Sequence, residues 1–221
     1  MPKLNSPLTL FFATLIVIAL LALFGPEEKS LGANVLIVYL HGAWVLAAEL
    51  AFVAAGIAGL LGLIGYMIPR IRFYYTLRHR YVAHKVGGNA AHQWSAVLGQ
   101  TGIFFWVTYL PLSLWAMQSN WNGLFLSEPR FRLAAIFAVT GVLLQVGLWL
   151  INTDWITSLA NLLFIVVLRV VFSTAENVMH PPPSPIFNSG NFAIIGFFLT
   201  LILLTLVAGY FLTRMFLRTS G

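Results

Sequence analysis

The sequence contains no cysteine and very few charged residues. Without thiols, the chain has no route to thiol–disulfide chemistry, to zinc or iron–sulfur sites ligated by cysteine, or to covalent c-type haem attachment. Charged residues make up only 8% of the chain, whereas soluble domains contain about 25%. Because so few charges cannot cover a water-facing surface, the composition excludes a soluble globular protein.

Long apolar runs replace the missing charges. Hydrophobic residues make up 60% of the chain, and the mean hydropathy is +0.90. A helical membrane crossing needs roughly 20 apolar residues, so 221 residues leave room for six such helices. The sequence therefore predicts an all-α fold, a polytopic transmembrane helix bundle that forms one domain over residues 1–221. The apolar runs are Leu8–Phe24, Val35–Ile68, Trp94–Met117, Leu133–Ile151, Trp155–Phe172 and Phe192–Leu212.

The net charge of +6 comes from basic residues clustered at the helix ends, where they set orientation. We therefore expect membrane lipids, and no nucleic acid, as partners. The positive-inside rule favours cytoplasmic termini, with Lys29, Arg130 and Arg132 left in outer loops. The residues that this topology puts inside are Lys3, Arg70, Arg72, Arg78, Arg80, Lys85, Arg214 and Arg218.

Two histidines lie on the predicted outer side. His41 is near the start of the second apolar run, and His180 follows the fifth. Two neutral imidazoles that converge at one membrane face can serve as axial ligands of a haem iron. The alternative is that each histidine anchors its helix at the interface, as amphipathic side chains commonly do.

One outer loop offers the other groups that haem requires. Arg130 and Arg132 are cations suited to the haem propionates, and Trp121 and Phe125 are suited to form a wall against the macrocycle. The sequence thus predicts a cofactor site built from His41, His180 and this loop.

Two opposite charges lie within apolar runs. Glu49 is eight residues after His41, on broadly the same helix face but deeper, and Arg169 is in the fifth run. A carboxylate at that depth usually has a partner or a wet cavity, and Arg169 is the natural candidate for the partner. The functional interpretation is a relay for protons or propionates. The structural interpretation is an ion pair, or a protonated glutamate, that holds the helices together.

The three remaining histidines, His79, His84 and His92, belong to the basic inner region. Their spacing matches no compact metal motif. We expect this stretch to face solvent and lipid headgroups.

A resemblance follows from three segments. The segment Val38–His41 (VYLH) at the start of a helix resembles the start of the second helix in the CcmC/CcsA family of haem-handling proteins. Asn177–His180 (NVMH), ahead of a final helix, resembles the second histidine segment of that family. Between them, Trp121–Arg130 occupies the place of the tryptophan-rich outer motif, although most of its tryptophans are absent here. Helix count, orientation and order agree over nearly the whole chain.

The resemblance implies a haem b with His41 and His180 as axial ligands to the metal. In the family, the tryptophan-rich motif forms a platform against the haem, and the resemblance makes Trp121 the retained tryptophan of that platform. Phe125 then occupies the position of an inner tryptophan of the motif, and Glu128 occupies the position of its aspartate. Members of the family pass haem to a chaperone or to apocytochrome c on the outer side. The implied location is a prokaryotic plasma membrane.

Three hypotheses remain open at this stage. The first is a haem-handling protein of cytochrome c assembly, which binds and delivers haem and is not an enzyme. The second is a cytochrome b-like subunit of a larger electron-transfer complex that keeps its haem. The third is a haem-free scaffold subunit whose histidines are interfacial. No nucleophile–base arrangement, phosphate loop or paired-carboxylate site is visible in the sequence.

Overall fold

The structure, a computed structural model, describes residues 6–67, 90–176 and 185–219. Within these ranges the chain forms seven α-helices and no β-strand, which confirms the predicted all-α bundle. The helices are α1 (Pro7–Ala22), α2 (Val35–Met67), α3 (Ala90–Trp121), α4 (Pro129–Ile151), α5 (Asp154–Ser173), α6 (Pro185–Asn188) and α7 (Phe192–Thr219).

Five helices, α2, α3, α4, α5 and α7, are long and apolar enough to cross a membrane. The chain is therefore a multi-pass membrane protein. The first predicted crossing corresponds to α1, which has only 16 residues. At about 1.5 Å per residue α1 is roughly 24 Å long, slightly less than the roughly 30 Å of bilayer hydrocarbon. By contrast, the 33 residues of α2 exceed that thickness.

The helix ends follow local sequence signals. Ser6 caps α1 by accepting a hydrogen bond from the amide of Thr9, and Pro7 occupies the first helical position, where no amide donor is needed. Glu128 and Pro129 start α4 in the same way. Asn152 ends α4 in the left-handed conformation, with φ of 49°, which asparagine tolerates better than most residues.

Small side chains let the helices approach α2, which contacts α1, α3, α5 and α7. Its buried face is rich in alanine and glycine. Inside a membrane the solvent is itself apolar, so close packing of small residues and interhelical hydrogen bonds hold helices together. The small buried residues of α2 are Ala43, Ala47, Ala48, Ala55, Gly56, Gly59 and Gly62.

Contacts between helix termini show which ends share one side of the bundle. The side-chain amide of Asn34, just before α2, donates to the carbonyl of Ser119 near the end of α3, at 2.8 Å. Gly25, just after α1, lies against Leu36 of α2 and Phe197 of α7. The starts of α2 and α7 and the ends of α1 and α3 therefore meet at one end of the bundle.

Candidate functional site

A cavity of about 590 Å³ lies at this end of the bundle, which is called the cavity end below. Its volume falls within the range of about 300–1,000 Å³ that is usual for small-molecule sites. The walls come from α2, the second half of α3, the start of α4 and the end of α5. The lining residues are Val38, His41, Val45, Glu49, Tyr109, Ser113, Ala116, Met117, Trp121, Glu128, Arg130, Phe131, Arg169, Phe172, Ser173 and Ala175.

His41 is on the cavity wall in the second turn of α2. Val38, His41, Val45 and Glu49 recur every three to four residues, so they form one stripe along the helix. The imidazole packs against the ring of Tyr109, with 5.5 Å between the ring centroids, and its Nδ1 atom is shielded from solvent. The wall therefore presents a histidine in a largely apolar setting.

Trp121 and Arg130 reach the same cavity from both sides of the connection between α3 and α4. Trp121 is the last residue of α3, and Asn122 follows it with a positive φ of 53°. Arg130 is the second residue of α4, immediately after the proline that starts that helix. Both side chains are half-buried. Three residues predicted for the site, including His41, thus meet at one cavity.

Phe125 and Arg132, also predicted for the site, do not line the cavity. Phe125 is 39% exposed in the loop between α3 and α4. Arg132 is exposed, because residues two positions apart on a helix point about 200° away from each other. Since Arg130 faces the cavity, Arg132 must face away. The remaining predicted residue, His180, lies outside the described residues.

Glu49 and Arg169 form an ion pair, which confirms the predicted pairing. Nη1 of Arg169 donates to a carboxylate oxygen of Glu49 at 2.9 Å. Both residues line the cavity, and their side chains are 25% and 59% exposed, respectively. The pair therefore belongs to the wall of the cavity and not to the packed interior of the bundle.

Glu128 has a structural role that the family resemblance did not suggest. Its carboxylate accepts a hydrogen bond from the amide of Phe131 at 2.6 Å and so caps α4. A carboxylate at a helix N-terminus satisfies an unpaired amide and interacts favourably with the helix dipole. This cap fixes the first turn of α4, which carries Arg130 into the cavity.

Several cavity residues were missed by sequence reasoning. Tyr109 and Ser113 are polar groups within an apolar run, one helical turn apart and on either side of Pro111. Phe131 and Phe172 provide aromatic walls but carry no sequence signal that separates them from ordinary bundle residues. Their shared location arises from helix packing and could not be derived from spacing alone.

The cavity wall carries polar and charged groups beside apolar and aromatic ones. No three His, Asp or Glu side chains converge in the described ranges 6–67, 90–176 and 185–219. The cavity combines the imidazole of His41, aromatic and apolar walls, two guanidiniums (Arg130 and Arg169) and two carboxylates (Glu49 and Glu128). No protein-family model, curated protein or solved structure matches this chain.

At the opposite end of the bundle, the expectation for His92 was wrong. His92 is only 5% exposed, and its Nδ1 lies 2.6 Å from the hydroxyl of Ser158 on α5. Nearby, the side-chain amide of Asn161 donates to the carbonyl of Ser95 at 2.8 Å, and Gln145 donates to the amide oxygen of Asn161 at 3.0 Å. These hydrogen bonds join α3, α4 and α5. His92 is therefore an interhelical contact and does not face lipid headgroups.

Proposed function

We propose that this chain is a haem-binding membrane protein of the kind that handles haem in cytochrome c assembly, with haem b held in the cavity. The observation that supports this proposal is that one cavity of suitable size collects His41, Trp121 and Arg130. These are a nitrogen ligand, an aromatic surface and a cation, the three kinds of group that haem requires.

Each of these residues has a distinct task in the proposal. His41 would hold the iron through one ring nitrogen, and Arg130 would pair with a carboxylate at the edge of the macrocycle. Trp121, Phe131 and Phe172 would form the walls and exclude water. When bound, haem would supply a redox-active iron centre that imidazole nitrogens can ligate. His180 stays the predicted second ligand.

In this proposal the protein delivers haem to a haem chaperone or an apocytochrome c on the outer side of a prokaryotic plasma membrane. The cavity is near the loops at one end of the bundle, where a partner could reach the ligand. Haem that moves to an added haem-accepting apoprotein would support delivery. Haem that stays bound through redox cycles would favour the cytochrome b-like alternative.

The decisive test of the haem proposal is an optical spectrum of the purified chain in detergent, oxidised and reduced. We expect sharp low-spin haem b bands that are lost in His41→Ala and in His180→Ala. Added imidazole should restore the bands of His41→Ala, because it replaces the missing ligand without altering the fold. A folded wild-type protein that binds no haem would overturn the proposal and leave the scaffold alternative.

Arg130 and Arg132 provide a matched pair of variants. Both are in the first turn of α4, but only Arg130 lines the cavity. Arg130→Gln should weaken haem retention by about tenfold, the loss expected for one charge-assisted hydrogen bond. Arg132→Gln should leave retention unchanged. Equal effects of the two variants, measured by haem transfer to an apoprotein, would remove Arg130 from the site.

A further inference from the structure

The guanidinium of Arg169 has unused hydrogen-bonding capacity in the cavity. A guanidinium carries five N–H donors, and among the described residues Arg169 uses one of them, from Nη1 to Glu49. The side chain is 59% exposed and lines the cavity. Its remaining donors are therefore accessible to a ligand in that cavity.

The packing of α2 against α5 includes direct contacts that do not involve the Glu49–Arg169 pair. A Cβ atom added at Gly56 of α2 would lie 2.8 Å from Ile165 of α5, and one added at Gly59 would lie 2.6 Å from the carbonyl oxygen of Ser158. The helices are thus already in direct contact through glycines. This packing favours a role for the ion pair on the cavity side.

Two guanidiniums line the cavity. Arg130 comes from α4, and Arg169 comes from α5. Glu49 already binds Arg169 through its carboxylate, at 2.9 Å. An acidic ligand would offer Arg169 the same chemical group.

We propose that Arg169 is a second carboxylate-binding residue of the cavity, and that Glu49 competes with the ligand for it. The inference rests on the proposed function and narrows the ligand class to a flat amphiphile with two carboxylates, one for Arg130 and one for Arg169. Entry of the ligand replaces the bond between Glu49 and Arg169 by a bond between the ligand and Arg169.

The test uses a metal-free porphyrin dicarboxylic acid and its dimethyl ester as probes, titrated into the full-length protein in detergent. Quenching of tryptophan fluorescence gives the Kd of each probe. Because the probes lack iron, they do not depend on a histidine ligand. The haem spectrum and the porphyrin titration can therefore fail separately.

We expect the wild type to prefer the acid over the ester. Arg169→Gln should weaken binding of the acid by about tenfold or more, with little effect on the ester. Glu49→Gln should strengthen binding of the acid severalfold, because it removes the competing carboxylate. The double variant Glu49→Gln/Arg169→Gln leaves neither charge unpaired and should bind the acid as weakly as Arg169→Gln. Arg132→Gln is the matched surface control.

Three outcomes would overturn the inference. If the wild type binds neither probe, or binds both equally, the cavity has no preference for carboxylates. If Arg169→Gln weakens binding of the acid and of the ester alike, the substitution acts through the fold and not through a contact with a carboxylate. Glu49→Gln that weakens binding of the acid shows that Glu49 positions Arg169 and does not compete with the ligand.

Discussion

His92 is a buried residue whose imidazole connects α3 to α5 through the hydroxyl of Ser158. His92→Ala would remove the hydrogen-bond partner of a buried hydroxyl and leave a space beside it. We expect a loss of about 2 kcal/mol of folding free energy, seen as a lower melting temperature in detergent. Gln93→Ala, at the half-buried next position, is the control. Equal melting temperatures for the two variants would show that the contact contributes little.

Glu28, in the turn between α1 and α2, should make the stability of that turn depend on pH. Its carboxylate accepts hydrogen bonds from the hydroxyl of Ser30 and from the amides of Ser30 and Leu31. These hydrogen bonds lower the pKa of Glu28 below its ordinary value of 4.5, and the bond from the Ser30 hydroxyl is the largest cause. A carboxyl group whose pKa is lower in the folded state stabilises the fold fully at pH values above its pKa in the unfolded state. This stabilisation is lost as the pH falls through the pKa in the folded state.

The corresponding experiment compares the melting temperatures of the wild type and Glu28→Gln over a pH series. The wild type should have the higher melting temperature at neutral pH. The difference should shrink as the pH falls through 4.5 and below. A difference that does not change with pH would show that the ionised form of Glu28 has no part in the turn.

Single residues differ in how far the sequence predicts their surroundings. Glu49 and Arg169 could be paired from the sequence, because opposite charges in apolar helices need each other. The contact of His92 could not be predicted, because Ser158 is 66 positions away and the basic residues before His92 indicated a headgroup-facing stretch. The location of Arg130 in the cavity depends on the register of α4, which its N-terminal cap determines.

At the scale of helices, Gly59 tests the close contact between α2 and its neighbours. A Cβ atom at Gly59 would lie 2.6 Å from the backbone oxygen of Ser158 and 3.0 Å from the hydroxyl of Ser95. Because a backbone atom cannot rotate away, α5 would have to move. Gly59→Ala should therefore cost about 1–3 kcal/mol, measured by thermal unfolding in detergent.

Gly147 of α4 is the matched control, since a Cβ atom added there meets nothing within 4 Å. Gly147→Ala should leave stability unchanged or raise it by up to about 1 kcal/mol, because alanine favours helix over glycine. If Gly59→Ala and Gly147→Ala have equal stability, the close approach of α2 and α5 does not limit folding.

Helix positions were largely predictable, and helix lengths were not. Proline, glycine and charged residues bound the apolar runs, so most starts agree with the structure within a few residues. The run Trp94–Met117 is part of a longer helix, Ala90–Trp121, and the last run extends to Thr219. Apolar runs mark the part inside the bilayer, whereas helical hydrogen bonds continue into polar residues beyond it. The cavity is a product of helix packing, which no run length reveals.

For the whole molecule, orientation in the membrane remains a prediction from charge. Basic residues concentrate at one predicted side, which includes the end of α7, where Arg218 is in the last turn. The cavity is at the other predicted side, where α2 starts and α3 ends. If the positive-inside rule holds, the cavity opens toward the outside, where a delivery partner would meet it.

Cysteine labelling tests this orientation, and because this chain has no native cysteine, only the introduced residue of the chain can react. Ser127 is exposed at the cavity end, and Thr153 is in the turn between α4 and α5. We expect an impermeant maleimide to label Ser127→Cys in intact cells, and Thr153→Cys only after the membrane is permeabilised. The reverse pattern would mean that the cavity opens to the cytoplasm, which would exclude delivery on the outer side. Because α4 alone separates the two positions, labelling of both in intact cells would contradict the crossing itself.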